Sequence, residues 1–401
     1  MSASRERRIA RTLTRRSALG LFAAGTTGLI AACAQAPAAA PSAAAPSAAP
    51  SAAAPAVTAA AAAKPARWGM SAAQEAAWQQ VEAAAKKEGK LTYYSLGTVP
   101  ANQVDKLKAE FAKDYPEVAI EYLNVGNSNN MSARLTTEQD GKVYVADIFD
   151  QSVRAALLLP PAVTDSFIPP TATDPSVKWL YNPVADPEKK GRILADVAQF
   201  FPIWINTKLV SPADAPKNAM DVASNPKWKG QIMFRTPWTS GGGSHLYHFA
   251  KQVYGESWVT KMQAQAPAFS EDQDAALVQV ARGEYAIGIG LTGRQASQML
   301  TAGQPIAAVW PDDFVITITQ GSNLVAHAPH PNAAKVFMNW MHTERGQQFW
   351  RDLGQWPIRA DILPTTPWMQ GVSKAKQVFE NLMNAKDQQA EFDAAAKAFK
   401  K

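Results

Sequence analysis

The sequence predicts an α/β protein whose globular part forms two lobes, each built on its own sheet and joined by a hinge. Three observations carry this: an alternation of strands and helices over residues 72–149, a second one over 231–302, and two extended, aromatic-rich segments, Ile193–Asn206 and Ile306–Thr319, placed to pass between them.

In the first alternation, a helix over 72–87 follows the capping residue Ser71 and stops at Gly89, ahead of the apolar strand Leu91–Ser95. A helix over 101–114 ends at Pro116. Strand Val118–Asn124, a helix over 130–140 and strand Ala146–Phe149 complete a βαβαβ unit, which implies a parallel sheet. The second alternation runs through strand Gln231–Phe234, helix 244–254, helix 271–282 behind the capping box Ser270-x-x-Gln273, strand Tyr285–Gly290 and helix 294–302. From Pro331 the chain reads as helical over 332–342 and 344–353, with a polar Lys/Ala-rich helix near 385–400. Single cores rarely grow beyond about 250–300 residues, so residues 67–401 call for two lobes. Two crossings make the hinge, giving 67–197 with 306–352 as lobe one and 198–305 with 353–401 as lobe two.

Charge separates the N-terminus from this body. The chain carries +6, but six arginines and Glu6 place +5 before Cys33, leaving 6 − 5 = +1 for the rest. The basic balance therefore marks an export signal rather than a nucleic-acid face, and no nucleic-acid partner is expected. The apolar run Ala18–Ala32 is shorter than the about 20 residues a membrane-spanning helix needs. Cys33 is the single cysteine, so no internal disulfide and no cysteine-based metal cluster can form. Residues 34–66 are almost wholly Ala, Pro and Ser and read as a disordered tether, which extended at about 3.1 Å per residue reaches roughly 100 Å.

Ligands of open α/β sheets bind beyond the carboxyl ends of the strands. Those positions hold Ser95 after the first strand, Asn127, Ser128 and Asn129 after the second, and Asp150 after the third. In the second lobe Arg235, Thr236, Trp238 and Ser240 run into Gly241-Gly242-Gly243-Ser244 at a helix start, where backbone N–H groups and the helix dipole suit an anion. Asp150 suits an amine instead, and Trp238 could lay its indole over a ligand. Gly288-Ile289-Gly290-Leu291-Thr292-Gly293 matches the dinucleotide fingerprint, but the following helix is short and no second mononucleotide half follows. It reads better as a cleft-lining turn with Thr292 and Arg294 facing a ligand.

Catalytic signatures are missing: there is no G-x-S-x-G elbow, phosphate-binding G-x-x-x-x-G-K-S/T loop or H-E-x-x-H. His245 and His248 stand one turn apart with no carboxylate at metal spacing, and read as packed or solvated. No cofactor, metal or enzymatic activity is expected. Trp204, Trp228, Trp310, Trp340 and Trp350 sit in apolar settings and read as core.

Ile30-Ala31-Ala32-Cys33 resembles the bacterial lipobox, whose cysteine is acylated, and Thr14-Arg15-Arg16-Ser17-Ala18-Leu19 resembles a twin-arginine export signal. Over about 85–401 an ordered series includes Glu88-Gly89-Lys90-Leu91, Tyr115-Pro116, Ala146-Asp147-Ile148 and Asn206-Thr207-Lys208-Leu209-Val210. It continues through Asn225-Pro226-Lys227-Trp228-Lys229-Gly230, Pro329-His330-Pro331-Asn332, Glu344-Arg345-Gly346-Gln347 and Trp356-Pro357-Ile358-Arg359. The series resembles the extracellular solute-binding proteins of ABC importers, in the branch that includes ferric-iron, phosphonate and polyamine binders.

The resemblance implies a type II periplasmic-binding-protein-like fold that closes on a small solute by hinge bending and docks on the transmembrane subunits of an ABC permease. It also implies a monomer held by a lipid on Cys33 at the periplasmic or extracellular face of the membrane. One departure concerns the ligand. Ferric-iron members carry a Tyr-Tyr pair after a second-lobe strand, where this chain reads Gly290-Leu291-Thr292-Gly293-Arg294-Gln295. Tyr93 and Tyr94 lie on a strand and face opposite ways, so they are no substitute pair. Arg235 and Arg294 favour a small organic anion such as a phosphonate or carboxylate. A zwitterion, a polyamine, ferric iron held through a synergistic anion and a secreted anchored enzyme stay open.

Overall fold

The computed structural model describes residues 67–400 apart from 187, 189, 294, 375 and 380–386. The export signal, Cys33 and the tether expected before residue 67 lie outside the described residues.

Helix α1 (Ala72–Glu88) begins with a reciprocal capping box between Ser71 and Gln74 and ends at Gly89, whose φ of 70° is a conformation that glycine adopts without strain. Strand β1 (Lys90–Ser95), helix α2 (Val104–Ala112), strand β2 (Ala119–Asn124), helix α3 (Ser128–Asp140), strand β3 (Ile148–Ser152) and the short helix α4 (Val153–Leu157) follow in turn. Strands β2 and β3 flank β1 and run parallel to it, as the alternation predicts.

Strand β4 (Val197–Phe201) and strand β5 (Ile203–Asn206) are separated by Pro202 alone, yet they belong to different sheets. Proline has no N–H to give a ladder and a fixed φ, so it is suited to the point where one strand leaves a sheet and another begins. The second lobe then takes α5 (Ala219–Ser224), β6 (Ile232–Arg235), α6 (Gly242–Tyr254), α7 (Glu256–Ala264), β7 (Ala268–Ser270), α8 (Gln273–Arg282), β8 (Ile287–Ile289), α9 (Ala296–Thr301) and β9 (Ile306–Val309). Its strands lie in the order β7-β6-β8-β5-β9.

Strand β10 (Val315–Leu324) returns to the first sheet, antiparallel to both β3 and β4. Helices α10 (Pro331–His342) and α11 (Glu344–Asp352) follow, and then β11 (Trp356–Pro357) pairs with β4 while β12 (Gln377–Phe379) pairs with β10. Helix α12 (Gln388–Phe399) ends back in the second lobe, with the Phe399 ring against Phe234 and Tyr247.

Three differences from the sequence reading bear on the site. Pairing with β10 carries β3 on to Ser152, so Asp150 lies within the strand rather than in a loop after it. Helix α8 is capped by Asp272, which accepts from the Asp274 and Ala275 N–H groups, while Ser270 ends strand β7. Strand β4 pairs in the first sheet and β9 in the second, so the crossings fall at Pro202 and over 310–314 instead of at 197/198 and 305/306, and the return from β12 to α12 adds a third.

Each lobe has its own aromatic core. Phe111, Phe337 and Trp340 pack ring to ring in the first, and Phe234, Trp258 and Phe399 in the second. Full burial of one such ring stabilises by about 1.5–3 kcal/mol. Trp204, Trp228, Trp340 and Trp350 are buried as expected, and Trp310 is half-buried. Among the described residues no helix is long and apolar enough to cross a membrane.

Candidate functional site

A cleft of about 920 Å³ is lined from both lobes at the ends of their strands. Its floor comes from the crossing strands. The β4–β10 register sets Gln199 opposite Ile318 and Val197 opposite Gln320, and the two-residue period of a strand turns Gln199, Phe201, Ile318 and Gln320 to one face, all four lining the cleft.

The second-lobe wall is the start of α6, pressed onto the ends of β6 and β8. A Cβ on Gly243 would stand 1.9 Å from the Arg235 carbonyl oxygen, and one on Gly242 2.3 Å from the Gly290 carbonyl oxygen and 2.1 Å from the Phe201 ring. Only glycine permits this approach, which brings the first-turn N–H groups of α6, without acceptors inside the helix, to the cleft. The Arg235 guanidinium lies alongside Gly241, and both line the cleft.

His245, in the first turn of α6, is buried and stands edge-on to the Phe201 ring at 6.0 Å. Burial, reinforced by the positive charges of Arg154 and Arg235, lowers its pKa from 6.5 to about 3, so the imidazole is neutral. Arg154 comes from α4 of the first lobe, is 6% exposed, and lines the same cleft. Two guanidinium groups from opposite lobes thus converge near one neutral imidazole and one helix N-terminus.

The first-lobe wall is uncharged apart from Arg154. Asn127 caps α3, its Oδ1 accepting from the Asn130 N–H at 3.0 Å, and Ser128 and Asn129 line the cleft beside it. Below them lies Asp150, 2% exposed. Its carboxylate accepts from the Tyr93 hydroxyl at 2.7 Å and, at 3.0 Å each, from the Leu96 N–H, the Thr98 hydroxyl and the Gln320 amide; the Ser95 hydroxyl is a fifth donor. Asp150 is therefore a buried anchor for the 95–98 loop and does not line the cleft.

Of the residues predicted from sequence, Asn127, Ser128, Asn129, Arg235, Ser240, Gly242 and Thr292 line the cleft. Ser95 and Asp150 lie beneath it, drawn together by their hydrogen bond. Thr236 is buried, with its N–H committed to the Ser270 carbonyl at 3.0 Å across the β6–β7 pair. Trp238 packs on Phe269 at 4.8 Å with the Lys400 ammonium 5.1 Å from its ring centre, which directs it into the second-lobe core rather than over a ligand. Arg294 lies outside the described residues.

Sequence reasoning missed Arg154, His245, Gln199 and Gln320. Arg154 follows a strand end that was placed three residues early, so the signal existed. His245 reads from sequence as a packed or solvated helix residue, though it directly follows the glycine-rich helix start. His248, one turn on, pairs with Glu391 at 2.5 Å. The glutamines carried no signal beyond their period-two spacing with Phe201 and Ile318. In the fingerprint-like segment, Gly290 packs against the Gly243 backbone and Gly293 against the Trp368 ring, so close packing accounts for both.

Tyr93 and Tyr94 are both buried, donating to Asp150 and Glu138. Burial pushes the Tyr93 hydroxyl well above its ordinary pKa and the Tyr94 hydroxyl up to about 12. Among the described residues no group of three or more His, Cys, Asp or Glu is placed to hold a metal ion.

The chain belongs to the bacterial extracellular solute-binding protein family, whose profile matches residues 91–354. The fold is that of two-lobed periplasmic binding proteins. It is similar to the substrate-binding protein of an ABC transporter from Agrobacterium tumefaciens at 15% identity and TM-score 0.66, covering 78% of this chain and 94% of that one. It is also similar to AfuA from Actinobacillus pleuropneumoniae with fructose-6-phosphate bound (17%, TM-score 0.62, covering 78% and 99%). A third likeness is to iron-bound HitA from Pseudomonas aeruginosa (19%, TM-score 0.59, covering 77% and 98%). No curated protein sequence matches the chain.

Proposed function

We propose that this protein is the solute receptor of an ABC-type importer and that it holds a small organic anion in the cleft between its lobes. The observation that carries the reading is the convergence of Arg154 from lobe one and Arg235 from lobe two at the glycine-rich start of α6. A guanidinium binds a carboxylate or phosphonate through paired N–H groups, and a helix start adds backbone donors and about half a positive charge. An anion bridging the two arginines joins the lobes, so ligand binding and hinge closure become one event. Among similar folds, a sugar-phosphate complex is compatible with this chemistry, whereas the iron-bound one is less so, because Tyr93 and Tyr94 are buried with their hydroxyls committed to Asp150 and Glu138.

The acidic residues Glu271, Asp272 and Asp274 on the second-lobe side of the cleft support a zwitterion as a second reading. Aminomethylphosphonate binding no tighter than methylphosphonate would remove it. A lipid on Cys33 would keep the receptor near its permease across the 34–66 tether. Cys33→Ser should then move the protein from the membrane to the soluble fraction with its binding unchanged.

Native mass spectrometry of the purified protein tests the main reading. A small anion released on denaturation, and raising the melting temperature when added back, supports it, since a ligand stabilises by RT ln(1 + [L]/Kd). Chemical conversion of that solute by the protein, or stabilisation by cations alone, contradicts it.

A further inference from the structure

An amide side chain can present either a donor or an acceptor, and rotation of its last bond exchanges the two. In this cleft the exchange is blocked from beneath. The Leu96 N–H, which can only donate, holds Asp150 Oδ1 at 3.0 Å, so that oxygen is an acceptor. Gln320 approaches the same oxygen at 3.0 Å and must turn its NH2 group toward it, with a second contact to the Thr98 hydroxyl. The Gln320 carbonyl oxygen is then directed at Gln199, whose Nε2 donates to it at 2.9 Å. Gln199 and Gln320 sit diagonally on neighbouring strands of one face, and are 8% and 6% exposed, so neither side chain has room to swing away.

Resting on the anion reading above, we infer that Gln199 is a specificity-determining residue, presenting its side-chain carbonyl oxygen to the cleft as a fixed acceptor, and that the solute is a hydroxylated anion. Three other groups that line the cleft are of the opposite kind. Arg154 and Arg235 only donate, and Asn124 has its carbonyl oxygen engaged by the Gly126 N–H at 2.8 Å, which leaves its NH2 group as the part it offers. A hydroxyl both accepts and donates. Set beside the anionic group of one molecule, it accepts from these donors and gives its hydrogen to Gln199. A plain anion leaves the Gln199 oxygen facing the ligand unpaired.

Two matched pairs of probes test this by titration calorimetry: glycerate against propionate, and glycerol 3-phosphate against propyl phosphate. In the wild type the hydroxylated member of at least one pair binds at least about tenfold tighter. Gln199→Leu brings that ratio close to one by weakening the hydroxylated members, while propionate and propyl phosphate bind no more weakly than to the wild type. Gln320→Met, which keeps Gln199 but removes its lock, lowers the ratio by at least about threefold, with folding of both variants verified by circular dichroism. Equal affinities within each pair in the wild type, or a loss in Gln199→Leu shared by both members of a pair, overturn this inference and leave the anion reading standing. Binding of none of the four probes overturns both.

Discussion

The loop after β1 and the loop after β6 occupy equivalent places, each following a parallel strand into the cleft, but they carry opposite electrostatics. At residues 95–98 the protein supplies its own anion: Asp150 takes the Ser95 and Thr98 hydroxyls and the Leu96 N–H. At residues 235–244 a guanidinium lies beside a glycine-rich helix start. Both loops read as small and polar, yet a buried carboxylate gathers the donors of the first, while a guanidinium and a helix start line the cleft at the second. Loop composition therefore does not tell the two apart; what differs is the buried carboxylate that reaches the first loop.

The contrast can be broken from either side. The largest effect is expected from Asp150→Ala, which removes the acceptor of five donors within the first lobe. Urea unfolding should show a loss of about 3–4 kcal/mol, and a loss under 1 kcal/mol would show the loop does not depend on it. Gly243→Ala comes next, at about 2–3 kcal/mol, because the added methyl meets backbone that cannot rotate away.

His245 gives a pH-dependent test. Its folded pKa is about 3 against 6.5 for the ordinary group, so between those values the unfolded chain binds a proton that the folded one does not. Stability falls as the pH drops through that window. From pH 7 to pH 5 this amounts to about 2 kcal/mol, which His245→Gln should remove from the pH profile. The smallest effect on binding is expected at Trp238: its ring lies in the second-lobe core, so Trp238→Ala should leave ligand affinity within about twofold while lowering stability.

The fold was largely legible in the sequence because its signals are local. Ser71 and Gly89 bracket α1 as read, strand and helix alternation gave the parallel β1–β2 and β1–β3 pairs, and the aromatic crossing segments do join two sheets. The third crossing was not legible, since β12 and α12 are placed by pairing and packing with distant elements. The site was half legible. Arg235 and Gly242 announce themselves beside a helix start, whereas Asp150 looks like a cleft carboxylate until β10 extends β3 past it. Thr236 and Trp238 share the loop of Arg235, but their directions are set by β7 and by the second-lobe core. Arg154 and Gln199 become neighbours of the second-lobe residues only through the crossings, which no local pattern records.

The central claim is that one anion is held by both lobes at once. Titration calorimetry of the recovered solute against wild type, Arg154→Ala, Arg235→Ala and the double variant tests it most directly. Each single loss should weaken binding at least about thirtyfold, and the double should cost clearly less than the sum of the singles, as expected when two groups grip one ligand. Strictly additive losses, or an affinity unaltered by Arg154→Ala, would contradict an anion shared across the hinge.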